Sequence, residues 1–363
     1  MPSTSEAVHA YPPSVQGGKG LANLDLRALS RMDGPPSELQ ARREKYAFFE
    51  KHCSEVADGI FLGSDVVARN RETLRAAKIT HVINCVGFLY PAYFKDELTY
   101  LVLYLQDTPG EDITSVLYSV FDFIEAAQSS GGHVLLHCSQ GVSRSATLAI
   151  AYLMWKRNRP FDEVLTSVKA IRGVANPNIG FTCQLLNWQR RRAAGNRGLS
   201  MYRIAPQCMA APLNLVAKAV APSVSSLDPR GAFVIQHTQH TIIWQGSRCH
   251  PKFLEAAEKA AKQFAKYEGA ASPAVLMTEG SSTLEFEYIG LQGKTESPVV
   301  EVADYNAEYQ MYAEAETGTS SSGDSDNQPA HKLPAAKRAR VKLGLYGSRQ
   351  ISLLDDIDDL VKY

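Results

Sequence analysis

The residues with the clearest chemical potential are His137-Cys138-Ser139-Gln140-Gly141-Val142-Ser143-Arg144-Ser145, which follow the apolar run Val134-Leu135-Leu136. A cysteine followed by five residues and an arginine can wrap a tight loop whose backbone N–H groups converge on one point. With a helix starting at about Ser145, the unsatisfied donors and partial positive charge of its N-terminus add to that anion site. The same field favours a thiolate over a thiol at Cys138. Ser139, Gln140, Gly141, Val142 and Ser143 would supply the backbone cradle, and Gly141 would let the chain turn with positive φ and pass close to a ligand. Arg144 offers a planar fork to two phosphate oxygens. His137 would hold neighbouring backbone by hydrogen bonds, and Ser145 can donate to the thiolate when it leaves. Together these parts make a nucleophile for phosphorus, through a phosphocysteine that water hydrolyses.

That chemistry needs a proton donor for the leaving oxygen. Asp107 is the candidate, because it opens the loop Asp107-Thr108-Pro109-Gly110-Glu111-Asp112 after the strand-like run Thr99 to Leu105, and strand-end loops carry such groups. A positioned carboxylic acid contributes roughly 100- to 10,000-fold, first as acid and then as base toward water. Glu111 and Asp112 are rivals. Asp112 precedes Ile113-Thr114-Ser115 and an apolar helix, so it reads better as a helix cap or first-turn acid.

The elements that must position these groups alternate. A helix from Ser37 to Cys53, with Ser37 as N-cap and Phe48 and Phe49 on its buried side, precedes a strand near Gly59 to Leu62, a helix near Val66 to Ala77, and strands Thr80 to Asn84 and Thr99 to Leu105. A helix from about Ser115 to Gln128, a strand His133 to His137, and helices near Ser145 to Lys156, Phe161 to Ile171 and Ile179 to Arg192 follow. Such alternation predicts an α/β fold, a central mostly parallel sheet flanked by helices, with the cradle at a strand's carboxyl end.

From about Glu55 to Arg192 the chain resembles a dual-specificity protein phosphatase of the cysteine-dependent superfamily. The resemblance rests on His137-Cys138-x-x-Gly141-x-x-Arg144-Ser145, the upstream Asp107, and Asn176-Pro177-Asn178-x-Gly180-Phe181 with Gln184-Leu185 behind it. Ile83-Asn84-Cys85-Val86-Gly87-Phe88, Leu105-Gln106-Asp107 and Ala151-Tyr152-Leu153-Met154-Trp155 are similar to the plant-type MAP kinase phosphatases, which carry a gelsolin-like region after the catalytic domain. Relatives often place a second cysteine after the nucleophile, where this chain has Ser139. The resemblance implies a cysteine-dependent phosphatase fold, a phosphorylated MAP kinase as protein substrate and no cofactor. The unit shows no tyrosine-recognition loop of the kind that builds a deep pocket, so a shallow site should admit phosphothreonine and phosphoserine as well as phosphotyrosine. The cradle's variable positions lack lysine, which argues against inositol-lipid head groups and RNA triphosphate ends. The competing reading, a non-catalytic phosphoprotein-binding scaffold, sits poorly with an intact Cys138, Asp107 and Arg144.

The 38 basic residues balance 38 acidic ones, so no global field recruits nucleic acid. The six cysteines, Cys53, Cys85, Cys138, Cys183, Cys208 and Cys249, show no CxxC pair or disulfide spacing, which suits a reducing compartment. No metal-ligand cluster emerges, the start lacks an apolar signal region, and no run approaches a membrane span. A cytoplasmic protein, also nuclear if its tail directs it there, is expected.

The expected organisation is a flexible arm over 1–36, a catalytic domain over 37–193, a linker over 194–212, a small α+β gelsolin-like domain over 213–312 and a tail over 313–363. The second domain is read from strand-like Gly231 to Gln236 and His240 to Gln245, a helix at about Pro251 to Lys266, and strand-like Ala274 to Met277. It carries no nucleophile constellation, so a binding or scaffolding role is expected. Arg190-Arg191-Arg192 reads as a solvated helix end, with a calmodulin site anchored by Trp188 as the weaker rival. In the tail, Lys337, Arg338, Arg340 and Lys342 admit a nuclear-import signal, a kinase-docking peptide with Val341, Leu343 and Leu345 as anchors, or plain solvated charge. Residues 353–360 could form a short acidic amphipathic helix. Cys85 ends the strand beside the one that delivers Cys138, which makes it either a core thiol or a redox partner that shields the nucleophile.

Overall fold

The computed structural model describes residues 37–194, 198–237, 240–280, 291 and 299–318. The arm over 1–36, the basic residues Lys337, Arg338, Arg340 and Lys342, and the 353–360 segment lie outside the described residues.

Helix α1 (Glu38–Lys51) begins where the Ser37 hydroxyl accepts from Gln40 N at 3.2 Å, the expected cap. It buries no residue, and Phe48 is 58% exposed, contrary to its expected buried face, while Phe49 is half-buried. With about 3.6 residues per turn, adjacent Phe48 and Phe49 point about 100° apart, and it is Phe49 that turns to the body, under Arg172 at 5.5 Å.

The first sheet runs in the order β1-β2-β5-β3-β4, formed by β1 (Ser54–Ala57), β2 (Ile60–Gly63), β3 (Ile79–Asn84), β4 (Thr99–Val102) and β5 (His133–His137). All pairings except β1 with β2 are parallel. The all-apolar centre of β5 is buried on both sides, as interior parallel strands require. The expected helix over 66–77 is two helices, α2 (Asp65–Ala68) and α3 (Arg71–Ala76), because Asn70 turns its side chain onto Thr73 N at 3.0 Å and restarts the helix as a cap. The expected strand to Leu105 shortens to β4, but its line continues as single contacts: Leu103 N to Asn84 O at 2.7 Å and Leu105 N to Cys85 O at 3.3 Å.

Helices α4 (Leu117–Ser129), α5 (Arg144–Arg157), α6 (Phe161–Ile171) and α7 (Ile179–Ala193) complete this layer. Helix α5 buries every residue from Ser145 to Met154, so it is the core helix of the fold.

The expected linker over 194–212 is overturned. Ser200–Cys208 is a strand, β6, inside a second sheet ordered β10-β9-β8-β6-β7, with β7 (Ala211–Val220), β8 (Ala232–Gln236), β9 (Thr241–Gln245) and β10 (Val275–Thr278). The scattered basic residues and Pro206 masked β6 in the sequence; the strand tolerates Pro206 because it lies beyond the end of the β8 pairing, which covers only Ser200 to Arg203, and is paired with β7 alone. Helix α8 (Pro251–Glu268) and helix α9 (Asn306–Thr317) pack on this sheet. The unit therefore starts before 213 and runs past 312. Both sheets lie in one compact unit that ends at Thr317.

Two readings of the α7 end also fall. Trp188 is 1% exposed, with its Nε1 donating to Tyr118 OH at 2.8 Å, so it cannot anchor calmodulin. Arg191 is no solvated terminus: it pairs with the fully buried carboxylate of Glu268 at 2.8 Å. Among the described residues no helix is long and apolar enough to cross a membrane.

Candidate active site

Strand β5 ends at His137, and the chain turns at once through Cys138 to Ser143 into α5. The Cys138 sulfur is buried at the loop's base, where it accepts from Gly141 N at 3.2 Å and from the Ser145 hydroxyl at 3.3 Å. Both contacts aim a donor at the sulfur.

The cradle's shape is held from outside, by its carbonyls. Ser139 O accepts from Asp65 N at 3.2 Å and Val142 O from Asn176 N at 2.8 Å. Gln140 O and Gly141 O accept from the Arg172 guanidinium at 3.0 and 2.7 Å. A trans peptide points its C=O and the following N–H in opposite directions. Four successive carbonyls drawn outward therefore turn the N–H groups of Gln140 to Ser143 toward the sulfur side, as an anion cradle needs.

Arg172 was not singled out from sequence, yet it is fully buried, and no acidic side chain among the described residues forms an ion pair with it. Besides the loop it donates to His52 O at 3.0 Å, Ser54 Oγ at 3.1 Å and Phe49 O at 3.1 Å, and it lies over the Phe49 ring at 5.5 Å. Burial lowers its pKa to about 10, against the influence of Cys138 and Cys53, so it stays a cation behind the loop. Its partners outside the loop include two carbonyls and a hydroxyl from a segment more than 100 residues upstream, which no local pattern announces.

Gly141 has φ +68°, the expected positive value, and a Cβ there would lie 2.4 Å from Gly63 O and 2.5 Å from Arg172 Nη2. The close approach is to the protein's own strap as much as to a ligand. His137 departs from expectation. Its ring is fully buried, neither nitrogen makes a well-formed hydrogen bond among the described residues, and burial drives its pKa down to about 4 against a pull from the Cys138 backbone. Its main chain does the holding, with His137 O accepting from Cys85 N at 3.0 Å.

Asp107 meets the cradle directly. Its Oδ1 accepts from Ser143 Oγ at 2.7 Å and Asn178 Nδ2 at 2.9 Å, and its Oδ2 lies 3.5 Å from Arg144 Nε. Arg144 also donates to Leu105 O at 3.1 Å and Ser139 Oγ at 3.3 Å, tying the acid loop to the cradle. Ser143 thus links Asp107 to the loop through its side chain, beyond the backbone role expected of it. Asp112 caps as expected, its Oδ1 accepting from Thr114 N at 3.0 Å and Ser115 N at 3.2 Å. Glu111 is half-buried, and that burial raises its pKa.

Three letters of the Asn178-x-Gly180 region hold the acid loop in place. Gln184 accepts from Ile113 N at 3.0 Å and donates to Glu111 O at 2.8 Å. Asn178 caps α7 while reaching Asp107. Gly180 leaves room for Pro109, whose carbonyl oxygen a Cβ would meet at 2.1 Å. Cys85 follows β3, whose last residue Asn84 pairs with His137. It is a free, fully buried thiol, raised well above the ordinary range by burial and then by Cys138, with Arg144 opposing.

Residues 60–191 match the dual specificity phosphatase catalytic domain family. The chain is 38% identical over 347 residues to the protein-tyrosine-phosphatase MKP1 of Arabidopsis thaliana, covering 91% of this chain and 44% of that protein. It therefore spans less than half the length of that relative. It is 36% identical over 151 residues to dual specificity protein phosphatase 1B of Arabidopsis thaliana, covering 42% of this chain and 90% of that one. Against human dual specificity protein phosphatase 26 the figures are 40% over 149 residues, 40% and 70%. With the Cys138 loop, Arg144 and the Asp107 loop brought together at the carboxyl end of the sheet, and with nine-tenths of a dual-specificity relative covered at this identity, the chain belongs to the dual-specificity protein phosphatase family.

Proposed function

We propose that this protein hydrolyses phosphotyrosine and phosphothreonine or phosphoserine on MAP kinases through a phosphocysteine on Cys138, with Asp107 as general acid and base. The observation that carries this reading is the joining of the two loops: Asp107 is tied to Ser143 and Arg144 of the same cradle that holds the Cys138 sulfur.

In the first step the sulfur attacks phosphorus and the P–O bond to the leaving oxygen breaks. Arg144 and the inward N–H groups carry the equatorial charge, and Asp107 gives its proton to the leaving oxygen. In the second step water attacks phosphorus, Asp107 takes a water proton, and the P–S bond breaks. Ser145, 3.3 Å from the sulfur, stabilises the departing thiolate. The MAP kinase as target rests on the resemblance to plant-type MAP kinase phosphatases, and so does the gelsolin-like character of the region around the second sheet, which its order of strands and one long helix supports.

The test is phosphate release from a dually phosphorylated MAP kinase. Cys138→Ser should abolish it and Asp107→Ala should slow it by roughly 100-fold or more. Equal release by wild type and Cys138→Ser would sink the mechanism, and binding without turnover would make the protein a scaffold.

A further inference from the structure

The second sheet meets the catalytic layer through a buried polar clamp. Glu268, the last residue of α8, has a side chain with no exposure. It accepts from Tyr118 OH, and Arg191 donates to it from Nη2 at 2.8 Å and Nε at 3.2 Å. Trp188 Nε1 donates to the same Tyr118 oxygen at 2.8 Å. Around this core Tyr118 stacks on Tyr267, with ring centroids 5.3 Å apart and planes 8° apart, and meets Phe264 edge-on at 5.6 Å. One turn along α4, Asp122 accepts from Gln263 at 2.7 Å and Lys266 at 3.1 Å.

The residues gripped are those that lead to the acid loop. Tyr118 lies in the first turn of α4, directly after the turn 114–116 that Asp112 caps. Trp188 and Arg191 lie on α7, whose Asn178 and Gln184 hold Asp107, Glu111 and Ile113. Strand β7 packs against the turn 114–116, and its Lys218 is among the cations that oppose the burial of Glu111. A small cavity at this junction is lined by Thr114, Ser115, Tyr118, Arg191 and Leu215.

A buried carboxylate needs its donors, and removing one leaves a costly unpaired group. The clamp therefore has one favourable arrangement, which sets α4 and α7 relative to each other and so the span of the acid loop between their N-terminal ends. We propose that Glu268, with Tyr118, is a positioning residue for Asp107, making the second sheet a fixed buttress of proton transfer rather than a tethered module. The inference rests on the phosphatase reading above.

The experiment is a leaving-group series. Full-length wild type, Tyr118→Phe, Glu268→Ala and the exposed α8 control Glu258→Ala are assayed on aryl phosphates whose leaving phenols span low to high pKa, and kcat/KM is compared. A good leaving group departs without a proton and a poor one does not. Tyr118→Phe, which keeps the ring packing, should lose about tenfold with phenyl phosphate, part of what a placed acid supplies, and under about twofold with the most acidic phenol. Glu268→Ala should follow the same slope and Glu258→Ala should match wild type. In an Asp107→Asn background the Tyr118→Phe loss should vanish, since both changes act on one proton transfer. A loss equal across the series, a loss that persists without Asp107, or no loss in Tyr118→Phe would each overturn the proposal while leaving the phosphatase reading intact. Absence of Cys138-dependent turnover in wild type would overturn both.

Discussion

Asn178 joins two jobs in one side chain: its Nδ2 donates to Asp107 Oδ1 at 2.9 Å while its Oδ1 accepts from Phe181 N at 2.9 Å to cap α7. The start of a helix and the aim of the acid are therefore coupled through a single amide. Substitutions can separate them. Asn178→Asp keeps the cap acceptor, so the melting midpoint should hold, but it sets a carboxylate against Asp107 and activity on phenyl phosphate should fall by about tenfold or more. Asn178→Ala should lose both, with about 1 kcal/mol of stability gone. Paired melting curves and kcat/KM values decide it, and a destabilised but fully active Asn178→Ala would contradict the coupling.

Gly180→Ala tests the fit of the acid loop. A Cβ would stand 2.1 Å from Pro109 O and 2.4 Å from Pro109 Cα, and backbone cannot yield as a flexible side chain does. The loop should shift and take Asp107 with it, giving loss of turnover with unchanged alkylation of Cys138 by iodoacetate. Unchanged kcat/KM with phenyl phosphate would show that the loop tolerates the displacement.

His137 predicts a pH dependence of stability. Its folded pKa, about 4, lies below the ordinary histidine value of 6.5. Between those values the unfolded chain binds the extra proton, so stability rises with pH through this window and is lost as pH falls from 6.5 toward 4. The difference amounts to about 3 kcal/mol. Denaturant midpoints of wild type and His137→Gln across pH 4 to 7 should diverge in slope, wild type being the steeper, and parallel curves would remove His137 from the account.

Cys85 and Cys138 are both buried free thiols at the ends of neighbouring strands. Mild peroxide is expected to yield a Cys85–Cys138 disulfide that a dithiol reverses, and Cys85→Ser should convert that outcome into irreversible sulfinic acid at Cys138. Peptide mapping distinguishes the two products. Sulfinic Cys138 alone in the wild-type protein would leave Cys85 as a core thiol.

Arg172→Met should strip the cradle of its strap. Gln140 O, Gly141 O and their upstream counterparts would lose a donor in the interior, at about 1 to 3 kcal/mol for each buried group left unpaired. Loss of oxyanion binding, read with vanadate, should accompany the fall in stability. Tight vanadate binding in a folded Arg172→Met protein would show that the loop shapes itself.

Much of this was legible one residue at a time. The run Val134 to His137 before Cys138, and the long apolar helix after Arg144, announce a buried parallel strand feeding a helix, because such strands have no polar face to hide them. Asp107 and Asp112 were separable, since a strand end and a helix start have different local chemistry. Asn178, Gly180 and Gln184 were visible as letters of a resemblance but had no role until Pro109, Glu111 and Asp107 lay against them.

The candidate site and the sheet beneath it were legible along the chain, because the loop from Cys138 to Arg144, its flanking strand and its helix are encoded by neighbours in sequence. Only tertiary structure decided what holds that centre in register. Arg172 gathers the carbonyls of His52 and Phe49 from more than 100 residues away, and Glu268 meets Tyr118 across 150 residues. Strand β6 reads as a linker until β8 and β7 pair with it. In each case the determining partner is a backbone group or a buried charge brought close by folding, and such pairings leave no periodicity in the sequence for the eye to find.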